Sequence, residues 1–172
     1  KKPIYCTASY LPTKTIIKLI FKSFGRIIFF RDFTPINYEK QYDNKSRAIF
    51  SSLNFGDDLY SNCLSCLLQS EIPKCFIESF DNISNIVKEK YPQNPGLIVS
   101  STAWYVNEPF KLWAANHSKN GVHLVGLQHG GADYGASKNF IFRDYEISTL
   151  DYYFSWGWKD SKCEAKIIPL PA

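Results

Sequence analysis

The segment Gln128-His129-Gly130-Gly131, followed by Tyr134 and Gly135, holds the residues whose types and spacing best suit chemistry. Glycines at 130, 131 and 135 let backbone N–H groups turn toward an anion with no side chain in the way. An imidazole changes protonation state near neutral pH, so His129 beside such a nest could take a proton from an attacking hydroxyl. The same residues also make a tight turn that His129 merely caps. Glu146 follows a polar loop containing Arg143 and Asp144 and could orient His129 or bind an acceptor hydroxyl; equally, it could pair with Arg143 or Lys138 at the surface. Trp156, with Gly157 and Trp158 after Tyr152, Tyr153 and Phe154, offers either a stacking face for a sugar ring or core packing. Ser9 and Tyr10 stand at the end of a first strand, facing the same crevice or making a turn.

Other candidate groups fail on spacing. His117, His123 and His129 are evenly spaced, but His123 and His129 fall along one strand roughly 20 Å apart at a rise near 3.3 Å per residue, so they cannot share a metal ion. Cys63-Leu64-Ser65-Cys66 has redox spacing, yet it lies in mid-helix without a preceding strand or a second pair, so core packing is the expected role.

The elements that would position these residues alternate. Residues 4–8 read as a buried strand, and Pro12 and Thr13 open a helix with Ile16, Ile17, Ile20 and Phe24 at helical spacing and Gly25 as its stop. A second strand follows at 27–30, and the crossover length suits a parallel pair. Residues 32–55 are polar and read as a long surface connection with one short helical piece. The set Tyr60, Cys63, Leu64, Leu67 and Leu68 makes a helical stripe over 57–70, and Pro73 separates it from a helix over roughly 74–90. Residues 97–100 are a strand; Asn107 caps a helix opened by Glu108 and Pro109 and ended by Gly121, with Phe110, Trp113, Ala114 and His117 facing the core. A strand at 122–127 leads into the glycine-rich loop, so Gln128 and His129 stand at the carboxyl end of a strand, where open parallel sheets bind ligands. Lys14, Lys18, Lys22 and Arg26 repeat every four residues along the first helix, opposite its apolar side. This stripe is either a solvated face or a peripheral contact with the inner membrane face.

The totals bound these readings. At 172 residues, 45% hydrophobic, with 13 Phe, 11 Tyr and 4 Trp, the chain has material for a packed core, and disorder is excluded. A net charge of +4 is too mild for a nucleic-acid partner but suits anionic ligands such as phosphates. Five cysteines, an odd number, argue against a disulfide scaffold and for a reducing cytoplasm. The greasiest stretch, residues 16–30, is broken by Lys18, Lys22, Gly25 and Arg26 and is too polar for a membrane span of roughly 20 apolar residues. With no Met, and with a closing run at 167–172 that reads like a strand just entered, the chain is expected to be an internal piece of a longer protein.

The stretch from Ile72-Pro73 to Glu78, the helix Glu108-Pro109-Phe110-Lys111-Leu112-Trp113-Ala114-Ala115, the loop at 128–135, then Glu146 and Asp151 to Trp156-Gly157-Trp158 form an ordered set. That set resembles a transferase family encoded in bacterial surface-polysaccharide loci, closely over roughly residues 72–170 and loosely before them through Ser9-Tyr10-Leu11-Pro12. More distantly it is similar to capsule Kdo transferases and teichoic-acid polymerases, which share a two-lobed fold and a His-Gly step at the end of a first-lobe strand. The resemblance implies a base at His129 that deprotonates an acceptor hydroxyl.

The expectation is therefore an α/β chain with a parallel-sheet, Rossmann-like lobe, a fragment of a two-lobed GT-B-type transferase. Residues 1–150 would form most of the first, acceptor-side lobe, and 151–172 the connection into a second, nucleotide-binding lobe. It would move a nucleotide-activated sugar to a carbohydrate or lipid-linked acceptor with no cofactor and no metal. His129 would be the base and Glu146 its helper, with Gln128, Gly130, Gly131, Tyr134, Gly135, Ser9 and Trp156 binding substrate. The rival readings are a non-catalytic sugar or nucleotide-phosphate binding module, and a hydrolase-like use of His129 with Glu146.

Overall fold

Short runs of β-branched and aromatic residues form a parallel sheet in the computed structural model, which describes residues 1–31, 36–39, 41–130, 141–160 and 165–171, with the backbone alone at 141–144. Its strands are β1 (Ile4–Thr7), β2 (Ile27–Phe29), β3 (Leu97–Ser100), β4 (His123–Leu127), β5 (Tyr152–Trp156) and β6 (Lys166–Leu170). The order is β2-β1-β3-β4-β5-β6, and every adjacent pair is parallel. The helices that cross over between strands make this a Rossmann-like α/β layer, as the alternation of patterns implied. β1 is followed by β2 on one side and flanked by β3 on the other, so the strand order reverses at β1 and opens a crevice beyond the carboxyl ends. Residues beyond 150 contribute β5 and β6 to this same sheet.

Helix ends follow local chemistry. α1 spans Thr13–Lys22, α2 Asn44–Ser51, α3 Leu59–Glu71, α4 Phe80–Lys90, α5 Ala103–Val106, α6 Glu108–Ser118 and α7 Ile141–Ser148. The Asn107 side chain accepts from the Phe110 N–H and caps α6, and Pro109 sits in the first turn where it lacks no needed donor. Asp43 and Asp58 cap α2 and α3 in the same way. Instead of one helix over 74–90, a 3-10 turn at Lys74–Phe76 precedes α4, because Ile77 leaves the helical region (φ −126°, ψ −83°). The stretch containing Arg143 and Asp144 is the start of α7 rather than a polar loop, so Glu146 lies on a helix.

The chain divides into two compact units, Lys1–Phe33 with Lys90–Ala172, and Thr34–Glu89. In the first, Trp113 is 1% exposed and packs edge-on or tilted against Tyr5, Phe30, Tyr91 and Phe110, while its indole N–H donates to the Pro92 carbonyl at 2.7 Å. The aromatic payload is thus buried without stranding a donor. β4 is buried on both faces in its centre, as an interior parallel strand must be.

The second unit is built around Arg47, a buried charge within a stretch whose composition reads as surface. Its guanidinium donates to both carboxylate oxygens of Glu78, to the Gln69 carbonyl at 2.9 Å and to the Ile72 carbonyl at 2.8 Å. Both Arg47 and Lys74 also lie over the Tyr42 ring, at 4.4 and 4.2 Å from its centre. The Arg47 hydrogen bonds hold the Glu78 carboxyl down at about 2, against the desolvation that raises it.

Two expectations need correction. Cys63 and Cys66 are exposed, not packed in a core, because the only residue of α3 that is buried is Ser61, on another face. On α1, the apolar side is not wholly turned inward: no residue of it is fully buried, and Ile17 and Phe21 are exposed.

Candidate functional site

His129 follows β4 by two residues and is 7% exposed. Its Nε2 lies 3.1 Å from Oε1 of Glu146, a residue of α7 with no exposed surface. The Tyr105 hydroxyl, from α5 at the carboxyl end of β3, approaches Nε2 at 2.9 Å and Nδ1 at 3.3 Å. The ring of Tyr10, which follows β1 and is 73% exposed, stacks over the imidazole at 6.1 Å and 21°. Loops after β1, β3 and β4 and the helix before β5 therefore converge on one imidazole at the end of the sheet where the strand order reverses.

The proton positions follow from the partners. With Glu146 as a carboxylate, Nε2 carries the hydrogen and donates it to Oε1, which leaves Nδ1 as the acceptor nitrogen, with the Tyr105 hydroxyl nearer to Nε2 than to Nδ1. An imidazole held this way can accept a second proton at Nδ1 beside a buried negative charge. A general base needs one nitrogen oriented by a carboxylate and the other turned toward the reacting hydroxyl; here a tyrosine hydroxyl stands beside that second nitrogen.

Gln128 is turned elsewhere. Its backbone N–H donates to the Phe154 carbonyl at 2.9 Å, and its Oε1 accepts from the Trp156 N–H at 2.6 Å and the Trp158 indole N–H at 2.8 Å. Gln128 thus ties β4 to the end of β5 and fixes both tryptophans. Trp156 remains 54% exposed, so a stacking face is on offer there rather than a core position. Gly130 has φ +69° with open space where a Cβ would stand, so glycine is favoured there by the backbone and not by crowding. Gly131, Tyr134 and Gly135 lie outside the described residues, as does Lys138, and the side chains of Arg143 and Asp144 are not described.

Ser9 lines a cavity of about 600 Å³ with Cys6, Thr7, Ala8, Phe30 and Arg31 among its walls, at the ends of β1 and β2. Burial pushes the Cys6 thiol up to about 11, with the hydrogen bond to Ser9 pulling the other way, so Cys6 is an inert wall rather than a nucleophile. His117 packs edge-on against Trp113, and burial lowers its pKa. His123 is exposed and 3.5 Å from Asp151, whose other oxygen accepts from the Leu124 N–H at 2.7 Å. Among the described residues, no three His, Cys, Asp or Glu side chains gather to hold a metal ion. Nor is any described helix long and apolar enough to cross a membrane.

Tyr105 is the site residue that sequence reasoning overlooked. The available signal was its position, a few residues past the end of the strand at 97–100, the same rule that singled out Ser9 and His129.

The all-parallel sheet and the buried histidine–glutamate pair at its carboxyl end define a Rossmann-like α/β lobe with a built polar site. A family model described as LIC12162 family transferase matches residues 1–172, so the chain belongs to that family and is a transferase by membership. No curated protein and no solved structure matches it.

Proposed function

We propose that the chain carries the acceptor-side half of a glycosyltransferase-like reaction, moving a sugar from a nucleotide-activated donor to a carbohydrate or lipid-linked acceptor of a surface polysaccharide, in the reducing cytoplasm. The observation that carries this reading is the His129–Glu146 pair. Burying a carboxylate against an imidazole gains little stability, so such a pair at the ligand-binding end of a sheet points to chemistry. The acceptor hydroxyl takes the place of the Tyr105 O–H at Nδ1 of His129 and gives its proton to that nitrogen, and Glu146 steadies the imidazolium. The freed oxygen bonds to the anomeric carbon, and the bond from that carbon to the donor's phosphate oxygen breaks, the electron pair leaving with the nucleotide. The glycine-rich sequence beginning at Gly130 suits an anion such as the departing phosphate, so the reading requires no metal.

A non-catalytic binding module for a sugar or nucleotide phosphate is the second reading, favoured by the low exposure of His129 and its filled ring contacts. The deciding experiment uses the full-length protein, a panel of nucleotide sugars and mass-spectrometric identification of the product. Transfer that falls by roughly 10² to 10⁴ in His129→Ala supports the base. Donor binding without any transferred product supports the module.

A further inference from the structure

Residues 1–31 contain seven of the 20 basic residues and none of the 16 acidic ones, so the remaining chain, with 13 basic against 16 acidic, is net negative. Three of these seven, Lys14, Lys18 and Lys22, lie on α1. Lys14, Ile17, Lys18, Phe21 and Lys22 fall at i, i+3, i+4, i+7 and i+8 and thus share one helix face. All five are exposed, Ile17 at 48% and Phe21 at 77%, and among the described residues no carboxylate pairs with the three lysines. Just past the helix, Phe24 is 98% exposed, held outward by a left-handed backbone (φ +54°) that a phenylalanine rarely adopts. Ile16, Leu19 and Ile20, on the opposite face, are partly buried and suffice to seat the helix on the sheet.

We infer that this face of α1 docks the protein on an anionic lipid surface. An ordinary solvated helix face has no use for Ile17, Phe21 and Phe24, and phosphates of a nucleic acid would gain nothing from them. A bilayer carrying negative headgroups satisfies both sets at once: the lysines meet the headgroup layer while the phenyl rings and Ile17 enter the acyl boundary. A shallow depression of about 430 Å³ lined by Lys14, Thr15, Ile17, Lys18, Phe21 and Lys22 gives a headgroup a seat between the cations. This assignment is independent of the role given to His129.

The test is flotation of the full-length protein with vesicles of phosphatidylcholine alone and with added phosphatidylglycerol. Binding is expected only to the anionic vesicles and should weaken with salt. Lys14→Gln, Lys18→Gln and Lys22→Gln together should lower partitioning by roughly 10², about fivefold per charge. Phe21→Ser with Phe24→Ser should lower it by at least about tenfold, with the salt dependence kept. All these side chains are exposed, and unchanged circular dichroism and melting would show that both variants fold. Equal binding to the two vesicle types, no binding to either, or binding untouched by both variants would overturn the inference. So would concentration-dependent self-association abolished by Phe21→Ser, which would give the face to a second copy of the chain.

Discussion

Replacing Glu146 by Gln keeps the shape of a side chain with no exposed surface and removes only its charge, which makes it the sharpest probe of the site. Glu146 Oε1 lies 3.1 Å from His129 Nε2, and as a carboxylate it holds the hydrogen on that nitrogen and leaves Nδ1 as the acceptor. A neutral amide can present either its oxygen or its NH₂ to that nitrogen, so the reactive tautomer is no longer enforced and the imidazolium loses its counter-charge. A hydrogen bond to a charged group contributes about 1.5–3 kcal/mol, which at about 1.4 kcal/mol per tenfold predicts turnover lower by roughly 10 to 10². Folding stability should move the other way or not at all, because a buried charge no longer has to be desolvated. Donor affinity should change little, since this reading gives Glu146 no contact with the donor phosphate. The measurements are product formation by the full-length protein, donor titration by calorimetry and the melting temperature. Full turnover combined with a clearly lower melting temperature would refute the reasoning and make the pair a structural clasp.

Further expectations concern the scaffold. A Cβ on Gly126 would come within 2.5 Å of Leu150 Cδ1 and 2.6 Å of Tyr153 Cδ2, so Gly126→Ala should destabilise by about 1–3 kcal/mol, read from chemical denaturation. Because Glu78 is held at about 2 from an ordinary 4.5, its contribution to stability is complete above about pH 4.5 and is lost as the pH falls toward 2. Glu78→Gln should flatten the melting temperature across that acid window. Cys63 and Cys66 should react quickly with a thiol reagent in the native protein while Cys6 stays protected, and replacing both with Ser should leave turnover intact.

What was legible in the sequence is what short-range rules control. The strands at 97–100 and 122–127, the Asn107 cap and the placing of His129 beyond a strand end follow from periodicity, capping and the sheet rule. Long-range pairings were not legible. Arg47 and Glu78 lie 31 residues apart in polar stretches, and nothing local tells a buried arginine from a solvated one. Tyr105 reaches His129 from 24 residues before, which depends on β3 and β4 being assembled. Glu146, 17 residues after, reads as a partner of His129 or of a surface cation, a choice that local sequence cannot make. α3 misled for a related reason: a stripe of apolar residues shows which positions share a face, but not whether that face finds a partner.

Gln128 and His129 show how the sheet turns adjacent residues to separate work. Just past the end of β4, the Gln128 side chain reaches the end of β5 while that of His129 reaches α5 and α7. Gln128 spends its carbonyl oxygen on Trp156 and Trp158. His129 is thereby directed to Tyr105 and Glu146. A slip between β4 and β5 would take Gln128 away from Trp156 and Trp158, and the register is held against that slip by the pairing of Gly126 with Tyr153, where a Cβ would meet the tyrosine ring. The glycine buried in the strand and the glutamine beside the histidine therefore serve the same end as Glu146. Gly126 and Gln128 set the end of β4 against β5, from which His129 reaches Tyr105 and Glu146.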